Sequence, residues 1–281
     1  MTYQELYHAL VGKMEEAGIA DAKFDARYLL EFVCKTNYND LLLHKDRLVT
    51  KEQQDEVEKL LMLRLQRIPI QYILKECEFM GLHYYVTEDV LIPRQDTELL
   101  VEEVLKNIHD KMSILDMCTG SGCILLSLLS FTNDCSGVGV DISSKALSVA
   151  RENAKRLGIQ ATFLESDLFD TVEGIFDVVV SNPPYIKSKV IETLMPEVKD
   201  YEPMLALDGM DDGLFFYKRI AKEAKRFLVR GGMIFFEIGH DQAEEVYEIL
   251  ANEGYEHICL KKDYANNDRV VYATFVEDKN V

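Results

Sequence analysis

From Ser113 onward the chain alternates between short apolar runs and amphipathic stretches, and this alternation limits it to few folds. Strands are predicted near 113–117, 137–141, 161–164, 175–181, 232–238, 256–260 and 270–276, and helices near 122–131, 144–157, 212–228 and 240–252. Several of the strand runs, such as Phe176-Asp177-Val178-Val179-Val180-Ser181, have the composition of parallel strands buried on both faces. This order implies an α/β fold, with a doubly wound, mostly parallel seven-stranded sheet and right-handed crossovers. Such sheets bind ligands just beyond the carboxyl ends of their strands.

The segment before this alternation has a different period. Residues 1–69 read as a small helical bundle. Tyr3, Leu6, Tyr7, Leu10, Val11 and Met14 form one helical stripe, and Ala22, Ala26, Leu29, Leu30 and Val33 form a second, which Asp21 is placed to cap. A short helix is predicted over Tyr38 to Leu43. Thr50 followed by Gln53 is a capping-box pattern, and the stripe Val57, Leu60, Leu61, Leu65 runs on from it. Residues 70–92 are aromatic-rich, with strands predicted at Tyr72–Leu74, Glu78–Leu82 and Tyr84–Val86, so a β-hairpin linker is expected there, followed by a ligand-binding domain over 93–281.

With 281 residues, 48% of them hydrophobic, the chain can bury one large core and one small one. It has no run of about 18 apolar residues that would read as a membrane span. Its first residues lack the basic and apolar pattern of a secretory signal. Six cysteines with no C-x-x-C pair and no zinc-type spacing read as reduced thiols of a cytoplasmic protein, and no metal site is expected. The net charge of −18 is uneven: residues 1–75 hold −1 and the rest −17. A stable nucleic-acid binder carries a basic footprint on its binding domain, which is missing here.

The most informative short stretch is Asn182-Pro183-Pro184-Tyr185, at the end of the strand that closes with Ser181. Two prolines supply no N–H donors, and the first biases Asn182 away from helical backbone. The product is a stiff corner with free acceptors: the Asn182 side-chain oxygen and the carbonyls of Asn182 and Pro183. It suits gripping a planar NH2 group by both hydrogens. Tyr185 either packs on the plane of that group or anchors the loop in the core.

Three further signals fall at successive strand ends. Cys118-Thr119-Gly120-Ser121-Gly122 joins a strand to a helix, and its glycines permit close backbone approach or positive φ. It is neither the full dinucleotide fingerprint nor a P-loop. Asp141 closes the next strand, where it can accept both ribose hydroxyls of a nucleoside or cap the following helix. Asp167 can accept an exocyclic adenine amine, with Leu168 or Phe169 on the ring, or serve as an ordinary loop residue.

Taken together, these elements resemble a Rossmann-like, S-adenosylmethionine-dependent methyltransferase. More narrowly the chain resembles the release-factor glutamine methyltransferases (the PrmC/HemK family), through Arg67–Ile73, Val90–Glu98, Asp116–Gly122, Val140–Ser143, Val180–Ile186, Tyr201–Pro203 with Asp212–Leu214, Glu237–Gly239 and Asp268–Val270. The resemblance implies S-adenosylmethionine as cofactor, S-adenosylhomocysteine as product, and the glutamine of the Gly-Gly-Gln loop of peptide chain release factors as substrate. It also implies that the helical bundle helps to hold the release factor, with no membrane partner. Two positions depart from the family pattern. Cys118 stands where glycine is common, which requires negative φ if the thiol is to fit easily, and Met210 stands in a loop that more usually carries a glycine pair.

Asn182 and the Pro183 carbonyl are expected to take one amide hydrogen each. Arg94, Thr97 and Glu98 either flank the pocket or start a helix and make a surface ion pair. Glu237 is expected to be structural, paired with a backbone donor, and His240 a loop or cap residue. An adenine N6-methyltransferase, which uses the same corner on another NH2, is the alternative enzyme, and a binding protein without turnover is the alternative of another class.

Overall fold

The Thr2 hydroxyl takes the main-chain N–H of Glu5, whose carboxylate in turn takes the N–H of Thr2, and this capping box opens helix α1 (Tyr3–Glu16) in the computed structural model, which describes residues 1–276. Helices α2 (Ala22–Cys34), α3 (Tyr38–Leu43) and α4 (Lys51–Leu65) follow, the last opened by the Thr50–Gln53 box. Asp21 occupies the N-cap of α2 but makes no side-chain cap bond. Leu10, Met14, Ala26, Leu29, Leu30, Val57 and Leu61 are all buried in one core, and each large side chain removed from water contributes roughly 1.5–3 kcal/mol.

Residues Tyr72–Leu74 form no strand. They lie in helix α5 (Ile70–Leu74), because the Pro69 carbonyl accepts from the N–H groups of both Tyr72 and Ile73. A short apolar run does not reveal its period, and the preceding proline decides it. This helical unit therefore runs to Glu76, past Pro69, and it also takes in the distant segment Met195–Tyr201. That segment carries one helical turn, Pro196–Lys199, and is held by charge. Glu197 accepts from Arg64 at 3.0 Å and from Arg67 at 2.8 Å, and the buried Arg64 also donates to the buried Asp25 at 2.6 Å.

The second unit, Cys77–Leu194 with the chain from Glu202 onward, begins with a hairpin of β1 (Cys77–Phe79) and β2 (Leu82–Tyr84). Met80 and Gly81 both have positive φ, so the turn matches strand twist, and the Met80 N–H donates to Glu98 at 2.6 Å. The strand expected over Tyr84–Val86 stops at Tyr84. Beyond it the Tyr85 main chain is paired with the Asn153 side chain at 2.6 and 3.0 Å rather than with another strand.

After α6 (Gln95–Asn107) come β3 (Ser113–Met117), α7 (Cys123–Ser130), β4 (Ser136–Asp141), α8 (Ser144–Leu157), β5 (Thr162–Glu165) and β6 (Phe176–Ser181). Three short helices, α9 (Ser188–Ile191), α10 (Pro196–Lys199) and α11 (Met204–Leu207), precede α12 (Phe215–Ala224), β7 (Leu228–Glu237), α13 (Ala243–Asn252), β8 (Tyr255–Lys262) and β9 (Asp268–Phe275). The seven strands from β3 onward lie in the order β5-β4-β3-β6-β7-β9-β8, with only β9 antiparallel to its neighbours. Alternate residues feed two cores: Leu115, Met117, Val179 and Phe236 with α12 and α13, and Ile114, Val178, Val180 and Phe235 with α6, α7 and α8. Burial on both faces is why the central strands read as continuous apolar runs. The order reverses at β3, between β4 and β6, which opens a crevice at the carboxyl ends of these strands. Among the described residues, no helix is long and apolar enough to cross a membrane.

Candidate active site

The crevice is a cavity of about 390 Å³ lined from the ends of β3, β4, β5 and β6. Its floor is the turn after β3. Cys118, Thr119, Gly120 and Ser121 face it, and the space beside Gly120, where a Cβ would stand, is open. Gly122 lies behind the turn instead. Its φ is 79°, and a Cβ there would press on Ala150 and Leu126 at 3.2 Å, so it serves packing rather than the cavity wall. The Cys118 φ is +63°, not negative, so the residue that replaces glycine sits in left-handed backbone that glycine adopts more easily. Burial, reinforced by the carboxylates of Asp141 and Asp116, raises the pKa of its thiol and keeps it neutral.

Asp141 binds main chain on both sides. Oδ2 accepts from Gly120 and Oδ1 from Ser143, each at 2.9 Å. Ser143 itself caps α8. Burial raises the Asp141 pKa against these two bonds. Asp167 lines the cavity too, with Oδ1 taking the Arg219 guanidinium at 2.9 Å. Leu168 is on the wall, whereas Phe169 is in the core, stacked on Phe227 with centroids 5.0 Å apart.

Asn182 and Pro184 line the cavity; Pro183 and Tyr185 do not. Asn182 donates through Nδ2 to Thr97 Oγ1 at 3.3 Å, and no described residue donates to its Oδ1 or to the Pro183 carbonyl. Tyr185 packs against the core, and its hydroxyl reaches Glu237 Oε1 at 3.4 Å. Its backbone is wedged by two glycines: a Cβ on Gly209 would meet it at 2.7 Å, and one on Gly213 would lie 2.5 Å from its carbonyl oxygen. Met210, in the departing loop, has a φ of 69° and reaches the cavity.

Arg94 lines the cavity and also pairs with the buried Glu202, whose other oxygen takes the Ile92 N–H at 3.4 Å. Glu98 anchors the hairpin turn. Glu237 is paired with the Tyr185 side chain, not with a backbone donor, and burial pushes it up to about 7. His240 is in an exposed turn outside the cavity. Asp116, the last residue but one of β3, is fully buried below the Gly turn. It accepts the Thr119 hydroxyl at 2.5 Å, and burial pushes it up to about 7. Phe215, Phe216 and Arg219 are cavity residues that the sequence reading missed. Their only signal was an aromatic pair opening a helix just after Gly213.

Comparison with known proteins fits this geometry. The "Methyltransferase small domain" family matches residues 94–198, and the "PrmC N-terminal domain" matches residues 5–74. The release factor glutamine methyltransferase of Clostridium acetobutylicum is 42% identical over 256 residues, which cover 89% of this chain and 90% of that protein. The chain belongs to the release factor glutamine methyltransferase family. The Agrobacterium fabrum enzyme of that name is 39% identical, with 92% of each chain covered. A methyltransferase structure from Pyrococcus furiosus, 18% identical, shares the fold with a TM-score of 0.54 over 71% of this chain and 91% of that one.

Proposed function

We propose that this chain methylates the side-chain nitrogen (N5) of the glutamine in the Gly-Gly-Gln motif of peptide chain release factors. Membership of the family supports the reaction, and one local observation carries the assignment of the site: an unengaged Asn182 oxygen on the cavity wall. The cavity chemistry suits S-adenosylmethionine. Asp141 closes β4 with a carboxylate, the turn leaves open space beside Gly120, and Asp167 keeps a second oxygen for an exocyclic amine beside Leu168. Bound there, S-adenosylmethionine supplies a methyl group already activated by its sulfonium.

An amide nitrogen is a weak nucleophile because its lone pair is delocalised into the carbonyl. The protein's task is therefore to place that nitrogen and to stabilise charge that develops on it. Asn182 Oδ1 accepts one hydrogen of the glutamine NH2 from the cavity wall, and the unengaged carbonyl of Pro183, which stands between two wall residues without lining the cavity itself, accepts the other. They turn its lone pair toward the cavity and draw positive charge off the nitrogen. The N-methylated, protonated amide is strongly acidic, so no dedicated base is needed. The N-terminal helical unit, which runs to Glu76, is assigned to holding the release factor, and the unit that carries the hairpin and the seven-stranded sheet to catalysis.

An acidic charge of −17 after residue 75 disfavours a nucleic-acid substrate. The test is a methyl-transfer assay with labelled S-adenosylmethionine that offers, in parallel, a release factor, its Gln→Ala loop variant, and DNA and RNA. Label in the intact release factor alone is the expected result. Label in nucleic acid would support the adenine reading instead.

A further inference from the structure

Asn182 serves as an acceptor only if its amide is turned one way. Rotated by half a turn, it would present an NH2 group to another NH2 group, donors to donors. In the structure its Nδ2 donates to Thr97 Oγ1 at 3.3 Å, which leaves Oδ1 for the cavity. Thr97 is in the first turn of α6 and only 2% exposed, so water does not set the direction of its hydroxyl. The hydroxyl has a single proton. With its oxygen already accepting from Asn182, that proton must find an acceptor elsewhere.

Glu237, at the end of β7, is in place to be that acceptor. It is 2% exposed, Oε1 takes the Tyr185 hydroxyl, and Oε2 has no hydrogen-bond partner. A buried carboxylate oxygen with no donor is costly, so it strongly favours any donor within reach. The Thr97 hydroxyl lies close enough to the carboxylate to lower its pKa against the effect of burial, although it falls short of a full hydrogen bond to Oε2.

We propose that Glu237 and Thr97 are positioning residues that set the polarity of Asn182: Glu237 draws the Thr97 proton, Thr97 offers its lone pair to Asn182 Nδ2, and Oδ1 is thereby turned to the substrate amide. This rests on the reading of Asn182 given above. Tyr185, at the far end, holds Glu237 from the same Asn-Pro-Pro-Tyr loop, so the loop and the strand end are tied by one chain of hydrogen-bonding groups.

The inference distinguishes Glu237→Gln from an ordinary loss of charge. A glutamine there has one acceptor, which the Tyr185 hydroxyl occupies, and an NH2 that would donate to Thr97. The Thr97 proton would then point at Asn182, which would turn its oxygen inward. E237Q is expected to lower kcat by about 10- to 100-fold, as the loss or inversion of one oriented hydrogen bond does, with the Kd for S-adenosylmethionine within about threefold of wild type. T97V cuts the relay and should lose a similar factor, while T97S restores the hydroxyl and should rescue turnover to within about threefold. In the T97V background, E237Q should cost nothing further.

All of these variants, with N182A beside them, are to be assayed at pH 8, above the value of about 7 to which burial pushes Glu237, so that it stands as the carboxylate; single-turnover methyl transfer is followed, and cofactor Kd by calorimetry. If N182A is inactive but E237Q turns over like wild type, or if the T97V and E237Q losses multiply in the double variant, the relay is overturned and the Asn182 reading stands. If N182A itself retains turnover, the reading of the site fails. Should E237Q not fold, the contrast between T97V and T97S still decides: equal turnover in the two overturns the relay.

Discussion

Asp141 accepts the Gly120 N–H at 2.9 Å, so the residue that closes β4 also holds the turn that closes β3. Its other oxygen holds Ser143, the cap of α8. One carboxylate thereby fixes two walls of the cavity, and its remaining lone pairs are those assigned to ribose hydroxyls. The ribose and helix-start readings of this residue are compatible, because each oxygen accepts more than one bond.

Asp141→Ala removes both main-chain bonds. It is expected to cost about 1–3 kcal/mol of stability by urea unfolding, since two N–H groups lose their acceptor. S-adenosylmethionine affinity, measured by calorimetry, should fall by about 10- to 100-fold, the worth of one or two hydrogen bonds to a charged group. Unchanged affinity with lowered stability would leave Asp141 a purely structural residue.

Gly209→Ala probes the seat of the Asn-Pro-Pro-Tyr loop. The new methyl would lie 2.7 Å from the backbone of Tyr185, which has to move. Methyl transfer is expected to fall by about 10-fold or more, because catalysis is sensitive to displacements of about 1 Å. Cofactor Kd, which depends on the walls from β3 to β5, should change little. A variant with wild-type turnover would show that the loop tolerates the shift.

Much of this site was legible in the chain because strand ends are punctuated by chemistry. Gly120, Asp141, Asp167 and Asn182 each follow an apolar run, and the fold brings them to one cavity. What the residues did not reveal came from long-range pairing. Phe169 and Leu168 are neighbours in sequence and both are buried, but only the packing shows that Phe169 stacks on Phe227 while Leu168 reaches the cavity wall. Arg219 becomes a wall residue through its bond to Asp167, and Glu202 joins the site through Arg94. The Tyr72–Leu74 run was ambiguous because three residues cannot display a period, and the Met195–Tyr201 segment carries no local sign that it packs with the N-terminal helices.

Arg64 is the centre of that packing. Arg64→Ala leaves the Asp25 carboxylate buried without its partner and should cost about 3–5 kcal/mol, whereas the double change Arg64→Met with Asp25→Asn should recover much of the loss. Hydrogen exchange is the suitable measurement, with the loss expected at amides of α1, α2 and α4. A uniform loss through the strands of the large sheet would contradict it.

Stability should also depend on pH through Asp116 and Glu237, both pushed up to about 7, chiefly by burial. Facing Glu237 are Thr97 and Tyr185 as hydrogen-bonding groups, Arg269 and Asp96; facing Asp116 are Thr119 and Asp141. Folded values above the unfolded ones mean that the folded state holds the extra protons. Their contribution is therefore complete below about pH 4 and is lost as pH rises to about 7, on the order of 1 kcal/mol per pH unit and group. Urea unfolding from pH 5 to 8 should show a smaller decline in D116N and E237Q than in wild type. Identical slopes would contradict the assignment.

The central claim is that Asn182 presents its oxygen to a glutamine amide, and tandem mass spectrometry of a release factor incubated with S-adenosylmethionine and either wild type or N182A tests it most directly. The expected result is one added methyl on the glutamine of the Gly-Gly-Gln loop with wild type, and a rate lower by about 100-fold or more with N182A, the cost of removing a group that stabilises developing charge, while N182A still binds the cofactor. A methyl group placed on any other residue, or on that glutamine at an undiminished rate by N182A, would contradict the account.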